Sequence, residues 1–299
     1  MSYVVYGILV GCVYGLWSIS FSIIYRATHI FHLVHAAVFT SAAYAYWRLH
    51  ESLELLALPC ALLIGVATGV GSEIALYRPL RKLGAPTILM FVVSLGGYIV
   101  IENLIQLIWR ADPQMVTPPQ VLESYISIFG VGSSMLELFE AGVAVGLWLL
   151  TVALLRFTLT GKAVRAIAVA PDMAELAGIE VDRIRAIVFA FGSLLISIAA
   201  ILMVMKTGIE PTSGLHVWVI AVIATLIGRG DVTASFLAGL GMGLAESIIL
   251  IWLPAAWQPS VPVLILAAYL VTMAITKWIS AFHVRRAAQR KLSDAYLRL

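Results

Sequence analysis

Charged residues are scarce in this sequence. Only 12% of its 299 residues are Asp, Glu, Lys or Arg, whereas 62% are apolar, and the mean hydropathy is +1.00. A soluble domain has roughly a quarter charged and half apolar residues. These proportions exclude a soluble enzyme or binding module and indicate an integral membrane protein. Its polar connections are too short to form a separate soluble domain.

Cysteines are few, and a nucleotide-binding loop is missing. Cys12 and Cys60 both lie inside apolar stretches, where a thiol acts as a small packing side chain more often than as half of a disulfide. The segment LTGKAV contains a Gly-Lys pair, but Arg156 stands where the first glycine of a phosphate-binding loop would be. Ala163 replaces the Ser or Thr that would hold Mg²⁺. Any ATP hydrolysis must therefore come from another chain.

Apolar stretches long enough to cross a bilayer are abundant, since a spanning helix needs about 20 residues. They cover residues 3–25, 53–72, 85–109, 135–155, 184–205, 232–253 and 261–281. Two shorter stretches, 34–47 and 217–228, do not cross unaided. The sequence therefore predicts an all-α, polytopic helix bundle with eight or nine hydrophobic elements. They form one transmembrane domain over residues 1–299.

The basic residues indicate an orientation in the membrane. If the chain crosses at all nine elements from an outer N-terminus, sixteen of the 19 Lys and Arg residues fall on one side. The other side receives Arg48, Arg110 and Lys206. Because Lys and Arg accumulate in cytoplasmic loops, this split predicts a periplasmic N-terminus, a cytoplasmic loop over 156–183 and a cytoplasmic tail over 283–299. It also explains the net charge of +3, so the expected partner is the lipid bilayer and not a nucleic acid.

The cytoplasmic loop has the signals of a short helix over 171–177. Pro171 suits the first turn, Asp172 and Glu175 complement the positive end of the helix dipole, and Gly178 suits the left-handed residue after its end. A helix of two turns is not stable alone in water. It lies either along its own protein or against a cytoplasmic ATPase that transmits force through it.

Two hydrophobic segments are interrupted, at 26–47 and at 211–231. Paired interrupted segments point to a transport pathway, because unwound backbone at membrane depth must line a cavity or be buried in protein. The first carries His29, His32 and His35 at intervals of three. Metal binding is disfavoured, since no Cys, Asp or Glu is near in sequence. Hydrogen bonding to unwound backbone or substrate, and simple packing, both remain open.

Carboxylates inside apolar stretches are candidate functional groups. Glu102 and Glu246 are the clearest, and they leave open an ion-coupled secondary transporter that works without an ATPase. A structural role is favoured for Glu246. Glu137 and Glu140 are expected near the outer boundary, either solvated or in contact with a docking protein. A passive channel is disfavoured, since no ring of like charges or repeated filter sequence occurs.

Glycines at 239, 241 and 243 predict a bare helix flank against which another helix packs closely. Gly228 and Gly230 instead fall where the second interrupted segment breaks.

Three stretches of the sequence resemble permease subunits of ABC importers for branched-chain amino acids. The loop at 161–179 is similar to the family's cytoplasmic motif, with matches at Gly161, Ala163, Arg165, Ala166, Ala168, Ala174, Leu176, Gly178 and Ile179. EIALYRPLR is similar to a motif at the inner end of the third segment, with Glu73, Tyr77, Arg78, Pro79 and Arg81 in register. A later run preserves the glycine pattern at Gly228, Gly230, Gly239 and Gly243, followed by Glu246.

The resemblance implies an importer of the bacterial inner membrane that works by alternating access. Its partners would be ABC ATPase subunits, a periplasmic substrate-binding protein and a second, related permease, since this chain looks like the smaller permease type. The implied ATPase contact consists of Gly161, Arg165, Asp172, Glu175, Leu176 and Gly178. The YRPLR region and Glu246 are implied as structural motifs, and no catalytic residue, metal or cofactor is expected.

The implied substrate pathway consists of His32, His35, Ala36, Gly228, Arg229, Gly230 and Asp231. His35 matches a family histidine. His32 and Ala36 replace the family's Asn and Gly, and Arg229 and Asp231 also depart from its pattern. Branched-chain or other hydrophobic amino acids are the expected substrates, with urea, short amides and aromatic carboxylates left open.

Overall fold

The computed structural model describes residues 2–128, 130–252, 254, 257, 260–273 and 275. Helices make up most of that part of the chain. They are α1 (Ser2–Thr28), α2 (Val34–His50), α3 (Glu54–Ser72), α4 (Arg78–Lys82), α5 (Thr87–Trp109), α6 (Gln120–Glu123), α7 (Met135–Phe157), α8 (Leu159–Val169), α9 (Pro171–Leu176), α10 (Val181–Lys206), α11 (Ser213–Ile227) and α12 (Val232–Ile249). A further apolar helix covers Val261–Met273.

The predicted polytopic helix bundle is confirmed. Six helical runs among the described residues are long and apolar enough to cross a membrane: Ser2–Thr28, Leu55–Lys82, Thr87–Trp109, Met135–Phe157, Val181–Lys206 and Val232–Ile249. The two short predicted segments become α2 and α11. The end of the predicted segment 261–281 and the tail 283–299 lie outside the described residues.

Helices α1 and α10 occupy the centre of the bundle and are its most buried spans. α5 and α7 expose most of their apolar side chains, as helices that face lipid or another subunit do. The bundle therefore has an interior that water does not reach and an apolar outer surface.

Glycines let α1 and α12 pack backbone against backbone. A Cβ added to Gly11 would lie 2.8 Å from the Cα of Leu240, and one added to Gly239 would lie 2.6 Å from the backbone N of Gly15. Gly243 likewise lies against Gly11. We call this contact the glycine seam (Gly7, Gly11, Gly15, Gly239 and Gly243). The predicted close-packing flank is confirmed for Gly239 and Gly243 and is wrong for Gly241, which has nothing within 4 Å.

The connection between α5 and α7 contains a β-hairpin that the sequence did not predict. Strands β1 (Tyr125–Ile128) and β2 (Val131–Ser134) pair antiparallel. Gly130 supplies a positive φ of 79° in the turn between them. Ser134 then starts α7 with a capping box that it shares with Glu137. The hairpin is thus fixed to the end of α7 that is opposite to α8.

Candidate functional site

A buried polar network lies at the break between α1 and α2. His32 is fully buried, and its Nδ1 lies 2.7 Å from the hydroxyl of Tyr77. That hydroxyl lies 2.7 Å from Oγ of Ser94. Ser94 Oγ accepts the backbone N–H groups of Leu33 at 2.6 Å and Val34 at 3.1 Å. The serine therefore satisfies amides that the start of α2 would otherwise leave without partners.

The Tyr77 hydroxyl bridges the histidine and the serine, since it lies within hydrogen-bond distance of both Nδ1 of His32 and Oγ of Ser94. The second ring nitrogen of His32, Nε2, is buried and has no hydrogen-bond partner among the described residues.

His35 is bonded through its other ring nitrogen. Its Nε2 lies 2.9 Å from Oγ of Ser20, and that hydroxyl donates its only proton to the Trp17 carbonyl at 2.6 Å. Ser20 must therefore accept from Nε2–H of His35, which leaves the Nδ1 lone pair of His35 without a partner in the described chain. The His32 and His35 rings lie 5.7 Å apart. Each ring thus keeps one buried nitrogen that has no hydrogen-bond partner among the described residues.

Aromatic side chains enclose the histidine pair. Phe189 packs edge-on against His32 at 4.9 Å, and Phe21 packs against His35 at 5.9 Å between ring centroids. Trp218 contacts Phe21, and its indole N–H donates to the His32 carbonyl at 2.9 Å. Since His32 and His35 are at most 1% exposed, this conformation is closed around them. Ala36, also in the predicted pathway, is buried next to Gly214 at the start of α11.

The second break is the turn from Gly228 to Asp231, between α11 and α12. Arg229 and Gly230 both have positive φ, at 53° and 73°. Asp231 caps α12, since its Oδ1 accepts from the N–H groups of Thr233 at 3.0 Å and Ala234 at 3.1 Å. Its other oxygen pairs with Arg26 at 3.0 Å. Both oxygens of this predicted pathway residue therefore hold structure together.

The two breaks do not come together in this conformation. Gly230 lies beside Tyr25 and Asp231 beside Arg26, whereas His35 is bonded to Ser20. Six residues of α helix separate Ser20 from Arg26, which is about 9 Å at 1.5 Å per residue. The turn thus sits at the end of α1, near α8, and the histidines sit deeper in the bundle.

The predicted cytoplasmic loop folds into α8 and α9. Gly178 has φ of 85°, its N–H bonds the Glu175 carbonyl at 2.9 Å, and Ile179 N–H bonds the Ala174 carbonyl at 3.0 Å. These are the two bonds of a Schellman motif, so the predicted helix and its glycine stop are confirmed. Inside the loop, Ile167, Ala174 and Val181 form a small core.

The opposite face of α8 and α9 is open. Val169, Met173 and Leu176 are 87%, 65% and 82% exposed, and Asp172 and Glu175 are exposed beside them. Arg165 turns inward and donates to the Leu155 carbonyl in α7. Gly161 is buried, and a Cβ there would strike the backbone of Leu155. Four residues of the predicted ATPase contact are therefore on an accessible surface, while Arg165 and Gly161 attach the loop to α7.

The EIALYRPLR stretch joins this loop to the bundle. Glu73 is buried and pairs with Arg81, and Arg78 pairs with Asp182 at the start of α10 at 2.8 Å. Residues Glu73–Tyr77 form a π-helical turn between α3 and α4. Pro79 lies in the first turn of α4, where its missing N–H does little harm. Glu73, Arg78 and Arg81 of the motif thus make contacts within the chain, and Tyr77 also belongs to the histidine network.

Comparison with known proteins shows which family the chain belongs to. The model for the family described as "Branched-chain amino acid transport system / permease component" matches residues 3–279. The chain belongs to this family. It is a multi-pass permease subunit of the inner membrane, as the sequence motifs implied, and it is a transport component.

The similarity to relatives in this permease family extends over most of this chain and most of each relative. The chain is 24% identical over 290 residues to the high-affinity branched-chain amino acid transport system permease protein LivH of Salmonella typhimurium, covering 89% of this chain and 91% of that protein. It is 27% identical over 262 residues to BraD of Pseudomonas aeruginosa, which has the same description, covering 81% and 83%. A probable LivH of Methanocaldococcus jannaschii is 24% identical over 265 residues, covering 86% and 82%.

The carboxylates differ from what the sequence suggested. Glu140 is only 3% exposed and pairs with Lys206 at 3.3 Å, so the expectation that it is solvated was wrong. Glu246 accepts from the Tyr14 hydroxyl at 2.8 Å. Glu102 accepts from Gln106 at 3.3 Å, one turn along the same helix. The position of Glu140 is the signal that was missed. An ionisable residue five positions into an apolar span needs a buried partner, which here is Lys206.

Proposed function

We propose that this chain is the membrane-spanning subunit of an ATP-driven importer of branched-chain or other hydrophobic amino acids. In this proposal residues 1–299 form one transmembrane domain, and the histidine network together with the 228–231 turn lines or gates the pathway. What supports the proposal is the family membership together with the open surface of α9. An ordered helix of under two turns that exposes Met173 and Leu176 is suited to a partner that covers it.

The proposed partners follow from the two ends of the bundle. ABC ATPase subunits dock on α9 at the cytoplasmic side, and a periplasmic binding protein delivers the amino acid near the hairpin. A second, related permease covers part of the exposed α5 and α7 surface. The N-terminus is periplasmic and the C-terminus cytoplasmic, because this orientation places most Lys and Arg inside.

The loop attachments suggest how force reaches the pathway. Arg165 ties α8 to the Leu155 carbonyl, and Arg78 ties α4 to Asp182 at the start of α10. A displacement of α9 by a docked ATPase therefore moves α7 and α10 together. Phe189 of α10 touches His32, so the same movement changes the enclosure of the histidine pair. Alternating access needs such state-dependent contacts.

The test compares two leucines that are equally exposed. Leu176 and Leu83 are both 82% exposed, the first on α9 and the second after α4. In proteoliposomes with the ATPase, second permease and binding protein, Leu176→Asp is expected to lower ATP-dependent leucine uptake at least about tenfold, and Leu83→Asp to leave it within twofold. Gly178→Pro and Arg165→Glu are expected to abolish uptake while the chain still inserts. Normal uptake in Leu176→Asp and Gly178→Pro would refute the coupling assignment.

An ion-coupled transporter that uses Glu102 or Glu246 is the competing function. It requires no ATPase, so the chain alone would accumulate leucine in proteoliposomes when a proton or sodium gradient is applied. The expected result is no accumulation by the chain alone.

A further inference from the structure

A cavity of ≈ 190 Å³ opens at the end of the bundle opposite to α8 and α9. Its walls come from α1, α7, α10 and α11, and its lining residues are Tyr6, Val10, Val13, Tyr14, Trp17, Glu140, Met203, Lys206, Thr207 and His216. A neighbouring cavity of ≈ 350 Å³ shares Met203, Thr207 and His216 with it. We call the two together the vestibule. Their combined size falls in the usual range of small-molecule sites, about 300–1,000 Å³.

The vestibule contains an unequal set of charges. Lys206 lies 3.4 Å from Glu137 and 3.3 Å from Glu140, so one ammonium is shared by two carboxylates. Glu140 is 3% exposed and lines the cavity, whereas Glu137 does not line it. A buried carboxylate that shares its counter-ion is stabilised by a further cation. This end of the vestibule therefore favours a solute that has an ammonium group.

Trp17 contributes a hydrogen-bond donor to the wall of the vestibule. Its side chain lines the vestibule and is 95% buried, since its exposed fraction is 5%. Its indole Nε1–H has no hydrogen-bond partner among the described residues. A buried donor without an acceptor is costly. The Lys206 ammonium is suited to a carboxylate oxygen of a solute, and the Trp17 N–H, whose nitrogen has almost no accessible surface in this conformation, would add a second donor after a small shift of the ring.

Part of the remaining lining is apolar, beside polar residues that include Glu210, Ser213 and His216. Val10 and Val13 of α1 and Met203 of α10 face the same space as the charged groups. A solute that fits all three features has an ammonium, a carboxylate and an aliphatic side chain. Urea and simple amides have no charge for either group, and an aromatic carboxylate without an amine adds negative charge to a net-negative site.

We propose that the vestibule is the entry site of this permease. It holds an α-amino acid zwitterion with its ammonium at Glu140 and its carboxylate at Lys206 and the Trp17 indole N–H. This proposal rests on the proposed import function and assigns the residues that select the substrate class.

The position of Trp17 connects this site to the histidine network. The Trp17 carbonyl accepts the Ser20 proton at 2.6 Å, and Ser20 accepts from His35. The entry site therefore lies one helical turn above the closed histidine pair. A solute bound at Glu140 therefore lies next to the aromatic side chains that enclose His32 and His35, and these must move apart for it to pass.

The decisive experiment measures binding to the full chain in nanodiscs, which needs no ATPase. The probes are L-leucine, 3-methylbutylamine, which lacks the carboxylate, and 4-methylpentanoate, which lacks the amine. Leucine is expected to bind most tightly, the amine more weakly, and the acid at least about tenfold more weakly than leucine, because its carboxylate meets Glu140 without an ammonium. Equal binding of leucine and the acid would overturn the proposal.

Matched variants locate the site. Glu140→Gln is expected to weaken leucine binding about tenfold, while Glu137→Gln, which removes an equal charge from the same ion pair outside the cavity, changes it less than twofold. Trp17→Phe is expected to weaken it several-fold. Trp148→Phe is its control, since the Trp148 indole N–H is also buried and has no partner in the described part of the chain, but Trp148 lies outside the vestibule.

Two failures can be told apart. If Glu140→Gln and Trp17→Phe bind leucine like their controls, the entry-site assignment is wrong, whatever the uptake assay shows. If the complete transporter takes up leucine without ATP, the proposed function is wrong, and the nanodisc result still decides the site.

Discussion

The indole N–H of Trp218 donates to the main-chain carbonyl of His32 at 2.9 Å. Trp218 belongs to α11, in the second interrupted segment, and His32 belongs to the break in the first. This bond joins the two interrupted segments of the bundle, as the ion pair between Arg26 and Asp231 also does. Any movement of α11 therefore acts directly on the backbone beside the histidine pair.

Trp218→Phe removes this bond and keeps the aromatic ring against Phe21. It is expected to lower the free energy of unfolding by about 1 kcal/mol, the usual net value of one hydrogen bond, measured by SDS titration of the purified chain. Trp252→Phe is the control, because Trp252 is 83% exposed. Identical unfolding curves for both variants would show that the bond contributes nothing.

Ser94→Ala removes the acceptor for two N–H groups at the start of α2 and the hydrogen-bond partner of the Tyr77 hydroxyl. The expected loss is about 1–2 kcal/mol of unfolding free energy, the range for a lost helix cap or a buried unsatisfied group. Ser193→Ala provides the comparison, since Ser193 is equally buried but its hydroxyl has no partner within the described chain. A loss as large in Ser193→Ala would mean that packing and not hydrogen bonding decides the effect.

Gly243→Val places a branched side chain into the glycine seam against Gly11. We expect a loss of about 2–3 kcal/mol or failure to fold, because backbone on both sides leaves no room for repacking. Gly241→Val makes the same chemical change two positions earlier, where nothing lies within 4 Å. Yield of monodisperse protein and SDS titration measure both, and equal behaviour would contradict the seam.

Asp231 has two structural roles that can be separated. Asp231→Asn keeps a capping oxygen for Thr233 and Ala234 but loses the charge that pairs with Arg26. Its expected cost is about 0.2–1 kcal/mol, as for exposed ion pairs. Asp231→Ala also loses the cap and is expected to cost about 1 kcal/mol more. Both are measured by SDS titration, and Asn as damaging as Ala would assign the whole effect to the ion pair.

Structural features that depend only on neighbouring residues were predicted well from the sequence. Pro171, Asp172 and Gly178 define α9 within a few residues of each other, and the structure has the helix and its Schellman stop where the sequence predicts them. The lengths of the apolar stretches were also sufficient to predict the spanning helices, because each length depends on the residues of one helix alone.

Pairings between distant residues could not be predicted in this way. His32 meets Tyr77 from 45 positions away, and Glu140 meets Lys206 from another helix, so no local pattern contains either contact. The β-hairpin at 125–134 was missed for another reason. Its strands have four residues each, and so short a stretch carries little periodicity.

The glycine seam has a consequence for biosynthesis. Tyr14 and Glu246, which flank it, are 232 residues apart along the chain. During synthesis α1 leaves the ribosome well before α12, the helix that packs against its glycine face. Until α12 is synthesised, α1 lies in the bilayer without the helix that packs against it. Nascent or prematurely terminated chains are therefore the forms that quality-control proteases would recognise.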